Sequence, residues 1–374
     1  MRNFFFFLIA ISLAAAIFVR VRYGGGEPYD DLSTAPLLDD AVLEKVLQYP
    51  EPIGSVAVSG DGRIFFTIHP ESRPQGNKLL EWVSGAAVPF PNGAAQPQLF
   101  DSVLDLTIDN QGRLWTIDHG NHGFGAPRLL AFDLRTGEVV HDHRFSDSVA
   151  PMGSCLRDLE VSSDGRFVVI ADGSILRKNP AIIVYEIAPN EARRILESHE
   201  SVSAENYLIR SPGRELSFIG GLFTLKVGVS GIAIDASDQW LYYAAVNQDG
   251  LFRVPMQYVT DGSVPSATLA KHVERFSEKP LSDGLITDAA GNVYITDIEH
   301  NSISVVGENR QPRTLVRSAR IRWAGDLARG PDGYFFVSDS AFSDLILETK
   351  NHMNTTGPFS IFRFKVSTSD TTNN

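Results

Sequence analysis

Four aspartates hold equivalent places in this chain. Asp105, Asp158, Asp283 and Asp326 each open a short apolar run: Asp105-Leu106-Thr107-Ile108, Asp158-Leu159-Glu160-Val161, Asp283-Gly284-Leu285-Ile286 and Asp326-Leu327-Ala328. Ser55 and Ser230 take that place in two more runs, and Arg157 stands beside Asp158. Carboxylates brought together repel unless a cation or hydrogen-bond donors compensate. One solution is a hard divalent cation such as calcium, with Asp283, Asp158 and Asp326 as ligands. Another is neutralisation by Arg157 and backbone amides without metal. A third role is structural: each aspartate bonds amides of its own or the next segment. A second group of polar residues ends the partner runs: His69, Asp118 with His119, Asp172, Asn247, Asp297 with His300, and Asp339. His119 and His122 share a Gly-rich loop without Cys, which is a weak zinc signal. His141 and His143 alternate along a strand and belong to the surface. No Gly-x-Ser-x-Gly elbow, phosphate loop or His-Glu-x-x-His helix occurs, so serine-hydrolase and nucleotide chemistry have little support.

These residues are placed by a repeat. An apolar run, a polar Gly- or Asp-containing turn and a second β-rich run recur six times, opening at Gly54, Asp105, Asp158, Gly231, Asp283 and Asp326. Each reads as a hairpin. The copies start roughly 40 to 75 residues apart, the spacing of four-stranded propeller blades. The fold class is therefore all-β, a six-bladed β-propeller over residues 41–366 behind an N-terminal apolar leader. In a propeller the first strand of each blade lines the central channel. The aspartates then converge at one mouth, and the second group of residues rims it. Residues 359–366 alternate as a last strand that pairs with residues 41–49, closing the ring and removing an open edge. Residues 191–200 are rich in helix formers. With the strand-like stretches 207–210 and 215–218 around Pro212-Gly213, they read as an elaborated outer hairpin of blade three with a small insertion. Residues 367–374 read as a frayed tail.

The formal net charge of −12 argues against nucleic acid as a partner. Residues 3–19 form an uncharged run of Phe, Leu, Ile and Ala followed by Arg20 and Arg22, so 1–22 is a signal peptide or a membrane anchor. That segment is the one expected membrane contact, and it places the propeller outside the cytoplasm: secreted, periplasmic or membrane-tethered. Residues 23–40, with Gly24-Gly25-Gly26, read as a linker. Cys155 is the single cysteine, which excludes an internal disulfide framework and reads as a buried thiol.

Several segments, in this order along residues 45–366, resemble the yellow/major royal jelly protein family. They are Arg113-Leu114-Trp115-Thr116-Ile117-Asp118-His119-Gly120, Ala181-Ile182-Ile183-Val184-Tyr185, the run into Gly231-Ile232-Ala233-Ile234, Leu251-Phe252-Arg253-Val254-Pro255, Arg322-Trp323-Ala324-Gly325-Asp326 and Gly357-Pro358-Phe359-Ser360-Ile361-Phe362-Arg363. The resemblance implies an extracytoplasmic six-bladed propeller that binds, and in some members converts, a small aromatic or amine-bearing molecule at the channel mouth. The residues expected to build that pocket are Asp105, His119, Arg157, Asp158, Asn247, Asp283, His300, Trp323 and Asp326. Ser282-Asp283-Gly284 also resembles a ligand motif of the senescence-marker/gluconolactonase propellers, which hold a divalent metal. This second resemblance implies a metal-dependent lactonase. It departs from that pattern at Arg157 and Ser230, where a guanidinium would repel a cation, so no cofactor is favoured. A protein-interaction platform is the remaining alternative.

Overall fold

The computed structural model describes residues 2–367, so most of the tail expected at 367–374 lies outside the described residues. Six four-stranded antiparallel sheets succeed one another around an axis. Their first strands are Ile53–Val58, Val103–Ile108, Leu156–Val161, Val229–Ile234, Leu285–Thr287 and Ala324–Arg329. The second strands are Ile64–Ile68, Arg113–Asp118, Phe167–Asp172, Trp240–Ala245, Val293–Asp297 and Tyr334–Asp339. Both sets are almost wholly buried, as expected of β-branched and aromatic runs packed between neighbouring blades. The blade-to-blade core is a series of apolar layers, for example Phe65, Phe90 and Phe132 between blades one and two.

Blade six is shared by the two ends of the chain. Phe359–Lys365 is its third strand, and Glu44–Tyr49 is its fourth, in the antiparallel register Tyr49 to Phe359 and Glu44 to Arg363. The ring closes by the pairing anticipated from the alternating pattern.

The axis is narrow where the first strands begin. A Cβ on Gly284 would lie 3.0 Å from the Gly325 carbonyl oxygen and 3.1 Å from Asp326 Cα. Glycine at this point lets two blades touch backbone to backbone.

Residues 191–228 carry the expected insertion with short strands about Pro212-Gly213, but it is larger and separate from the blade. Glu191–Ile195 is the regular fourth strand of blade three, despite its helix-forming composition, because Ala181–Glu186 offers it an edge. Residues 196–228 then form a separate insertion between blades three and four. It is built from small hairpins, Arg210–Ser211 with Arg214–Glu215 and Ser217–Phe218 with Phe223–Thr224. It roofs the mouth: Ile209, Leu216, Leu225 and Val227 bury themselves with Trp323, Phe342, Leu345 and Ile346, the last three from the loop after the second strand of blade six.

The N-terminal helix, Arg2–Tyr23, is one continuous apolar rod exposed along its length. The stretch after it, a linker by composition, is strapped to the propeller. Glu27–Pro28 pairs in parallel with Tyr207–Leu208, and the Leu37 and Leu38 amides donate to the carbonyls of Thr314 and Leu315 on the rim of blade five.

Candidate functional site

The four aspartates reach the axis together but divide into two environments. Asp283 sits where donors from three elements meet. Arg157 Nη2 donates to its Oδ1 at 2.7 Å, Ser230 Oγ to the same oxygen at 2.8 Å, and Trp323 Nε1 to Oδ2 at 2.9 Å. Arg157 Nε donates to Ser230 at 2.7 Å, so one guanidinium ties blades three, four and five. Burial disfavours charge on Asp283, but Arg157 and the hydrogen bonds outweigh it and hold the carboxyl below the usual range. Arg157 remains charged for the same reason.

Asp105, Asp158 and Asp326 face one another without a cation. Burial and mutual repulsion push Asp158 and Asp326 well above the ordinary carboxylate range, and burial also raises Asp105. Ser55 Oγ bridges Asp105 and Asp326. One hydroxyl proton cannot serve two carboxylates, so a carboxyl of this trio supplies its own proton. Each of the three also accepts from the first strand of the next blade: Asp105 from Leu159 N–H at 3.0 Å, Asp158 from Ile232 N–H at 2.8 Å, and Asp326 from Val56 N–H at 3.2 Å. This is the structural role, joining blades.

The set therefore does not form a cation cage. Of the three ligands considered for calcium, Asp283 spends its oxygens on Arg157, Ser230 and Trp323, Asp326 accepts from Ser55 and from the Val56 and Leu327 amides, and Asp158 accepts from the Ile232 amide. Among the described residues no group of three or more His, Cys, Asp and Glu has a metal-holding arrangement.

Above this ring, under the roof, lies a cavity of about 130 Å³. His69, Glu71, His119, His122, Cys155 and Arg157 form one wall. The rest of the lining is apolar: Leu104, Ile175, Leu176, Phe223, Phe342, Ile346 and Leu347, with the Phe342 ring 5.1 Å from that of His69. His69 and His119 are 4% and 3% exposed. Each turns Nδ1 to a backbone amide, His69 to Glu71 N–H at 3.2 Å and His119 to His122 N–H at 2.9 Å. Burial pushes both imidazoles down, to about 4 and about 3, so they are neutral and carry their proton on Nε2. Among the described residues neither Nε2 has a hydrogen-bond partner.

His122 is the opposite case. Burial opposes its charge, but Cys155 and Glu71 outweigh that and push it up to about 10. Its Nε2 lies 2.7 Å from Glu71 Oε1, and the Glu71 carboxyl is drawn down to about 2 against its own desolvation. His122 Nδ1 is buried, and the Cys155 thiol, 1% exposed, is the polar group that interacts with the ring on that side. The polar wall is thus rich in donors, and its one acidic group is already paired.

The expected pocket residues separate accordingly. Arg157 lines both the axial ring and the cavity, and His119 lines the cavity. Asp105, Asp158, Asp283 and Asp326 form the ring beneath, and Trp323 orients Asp283 from a buried position. Asn247 and His300 are elsewhere. The Asn247 side chain accepts from Val227 N–H and donates to the Tyr207 and Leu225 carbonyls, so it holds the insertion in place. His300 pairs with Asp297 at 3.0 Å and Asp31 at 3.3 Å, fastening the strap to blade five. His122 comes with His119 from the loop that the sequence places at the mouth, whereas Glu71, Cys155 and Phe342 complete the cavity without having been expected there. The position of His69 at the end of a second strand was the usable signal for it.

Comparison with known proteins agrees with the fold. A gluconolactonase from Xanthomonas campestris superposes with a TM-score of 0.53 at 13% identity, covering 86% of this chain and 88% of that one. A calcium-binding regucalcin from Agrobacterium tumefaciens gives 0.55 at 13% identity, covering 89% and 96%. At these identities the likeness is one of fold. In sequence, major royal jelly protein 3 of Apis mellifera is 24% identical over 221 residues, 56% of this chain and 38% of that protein. Major royal jelly protein 9 of the same species is 22% identical over 274 residues, 66% and 60%. The chain thus spans less than two thirds of the length of these relatives. With the family model for major royal jelly proteins matching residues 101–320, more than half of its length, the chain belongs to that family.

Proposed function

We propose that this propeller acts outside the cytoplasm and binds a small molecule with a ring-sized apolar body and a hydrogen-bond-accepting head in the roofed cavity. The observation that carries this reading is the pair of neutral, buried histidines, His69 and His119, whose Nε2–H groups face the cavity unpartnered. Neither nitrogen is sealed off from the cavity, so a ligand acceptor is its natural complement. The rest of the lining is apolar, and about 130 Å³ suits a single ring. The amine class implied by the family resemblance fits less well. An ammonium needs a free acceptor, but Glu71 is engaged by His122 and Asp283 by Arg157.

Calorimetric titration with a matched pair, phenylacetate and phenethylamine, tests this. The acid should bind and the amine should not. His119→Phe should weaken the acid about tenfold, the loss expected for one charge-assisted hydrogen bond. Preference for the amine, or an unchanged affinity in His119→Phe, would overturn the assignment.

A further inference from the structure

The mouth face carries features that the cavity does not need. Among the exposed large apolar side chains of the propeller, Phe124, Met152, Ile219 and Leu347 are 62%, 66%, 75% and 64% exposed. All four belong to mouth-side segments. Phe124 and Leu347 follow second strands, Met152 precedes a first strand, and Ile219 is in the roof insertion. Leu176, also exposed, lines the cavity together with Leu347 and Phe223, so the cavity's apolar wall reaches the surface here.

The apolar helix leaves from the same place. Tyr23 Oη donates to the Leu176 carbonyl at 2.9 Å, its ring lies 6.4 Å from that of Phe223, and Arg22 Nη2 donates to the Arg177 carbonyl at 2.8 Å. The helix has 22 residues, about 33 Å at 1.5 Å each, enough for a bilayer core. Around its base stand Arg20, Arg22, Arg177, Lys178 and Lys226. Only Arg177 has a carboxylate partner, Glu197, among the described residues. Burial and the crowding of like charges from Lys226 and Arg22 push Lys178 down to about 8. In a chain of net charge −12 this is a local positive patch.

We infer that the mouth face rests on an anionic lipid leaflet, with Phe124, Met152, Ile219 and Leu347 dipping into the interface and the cavity opening toward the bilayer. The helix, the apolar side chains and the cations supply the three terms such contact uses: a span, buried apolar area and attraction to acidic headgroups. The inference rests on the anchored form of the extracytoplasmic reading and adds the orientation of the propeller and the route of the ligand.

The test uses the full chain reconstituted in phosphatidylglycerol-containing vesicles with doxyl-labelled lipid. A polarity-sensitive fluorophore is attached in turn to Ile219→Cys, Leu347→Cys and Val140→Cys. Val140 is exposed on an outer strand away from the mouth. The unsubstituted chain controls for the buried Cys155. Labels at 219 and 347 should shift to shorter wavelength and be quenched by the doxyl lipid, while the label at 140 stays in water. Chain that does not float with the vesicles overturns both anchoring and orientation. Chain that floats but leaves labels 219 and 347 in water overturns the orientation alone. Protection that grows with protein-to-lipid ratio overturns it in favour of a second copy covering the face. None of these readouts depends on ligand affinity, so a failed titration with phenylacetate leaves them independent.

Discussion

At the scale of single residues, the axis holds two kinds of aspartate, and substitution should tell them apart. Arg157→Met leaves Asp283 buried without its cation and should cost about 3–5 kcal/mol of stability. Asp158→Asn replaces a carboxyl that the folded protein prefers to keep protonated, so denaturant melts should show a loss of about 1 kcal/mol or less. The pH dependence adds a sign. The folded-state pKa of Asp158 is raised, so its contribution is complete below the unfolded value of about 3.9 and fades as pH climbs through the folded value. Asp158→Asn should therefore flatten the decline of stability above that pH. Lys279 behaves inversely. It is fully buried, its Nζ makes one hydrogen bond among the described residues, to the Pro280 carbonyl, and burial pushes it down to about 7. The folded state binds fewer protons than the unfolded one between about 7 and 10.4, so this lysine makes stability rise with pH across that window. Lys279→Met should raise stability at neutral pH by on the order of 1–4 kcal/mol and remove that rise.

At the scale of elements, the strand shared by the chain ends decides whether the ring is one cooperative unit. Leu47 pairs with Ile361 and is 3% exposed. Proline there removes a ladder donor and a core side chain at once. Leu47→Pro should replace a single calorimetric transition by a broadened or split one, because blade six would lose its fourth strand. An unchanged single transition would mean that the other blades hold the ring without it. This element was legible from the sequence, as were the blade openings, because period-two alternation and turn residues report strand direction directly. Other features were not. Asn247 and His300 follow second strands just as His119 does, so register assigns all three to the same face. Register does not give radial distance from the axis, nor does it show that an insertion and a strap cover blades four and five. The cavity partners Glu71 and Phe342 come from loops whose paths are fixed by tertiary packing, which local pattern does not encode.

At the scale of the whole molecule, strand polarity gives the propeller two unlike faces. Every second strand ends at the mouth and every third strand runs away from it, and Phe359–Lys365 is a third strand. The chain thus enters the fold beside the helix on one face and, after Lys365, sets off from the other. In the orientation proposed above, whatever is attached to that end stands off from the lipid by the height of the blade. A reporter or affinity handle grafted there is displayed outward with the roof untouched, whereas the same handle placed ahead of Tyr23 would sit against the opening it was meant to leave free.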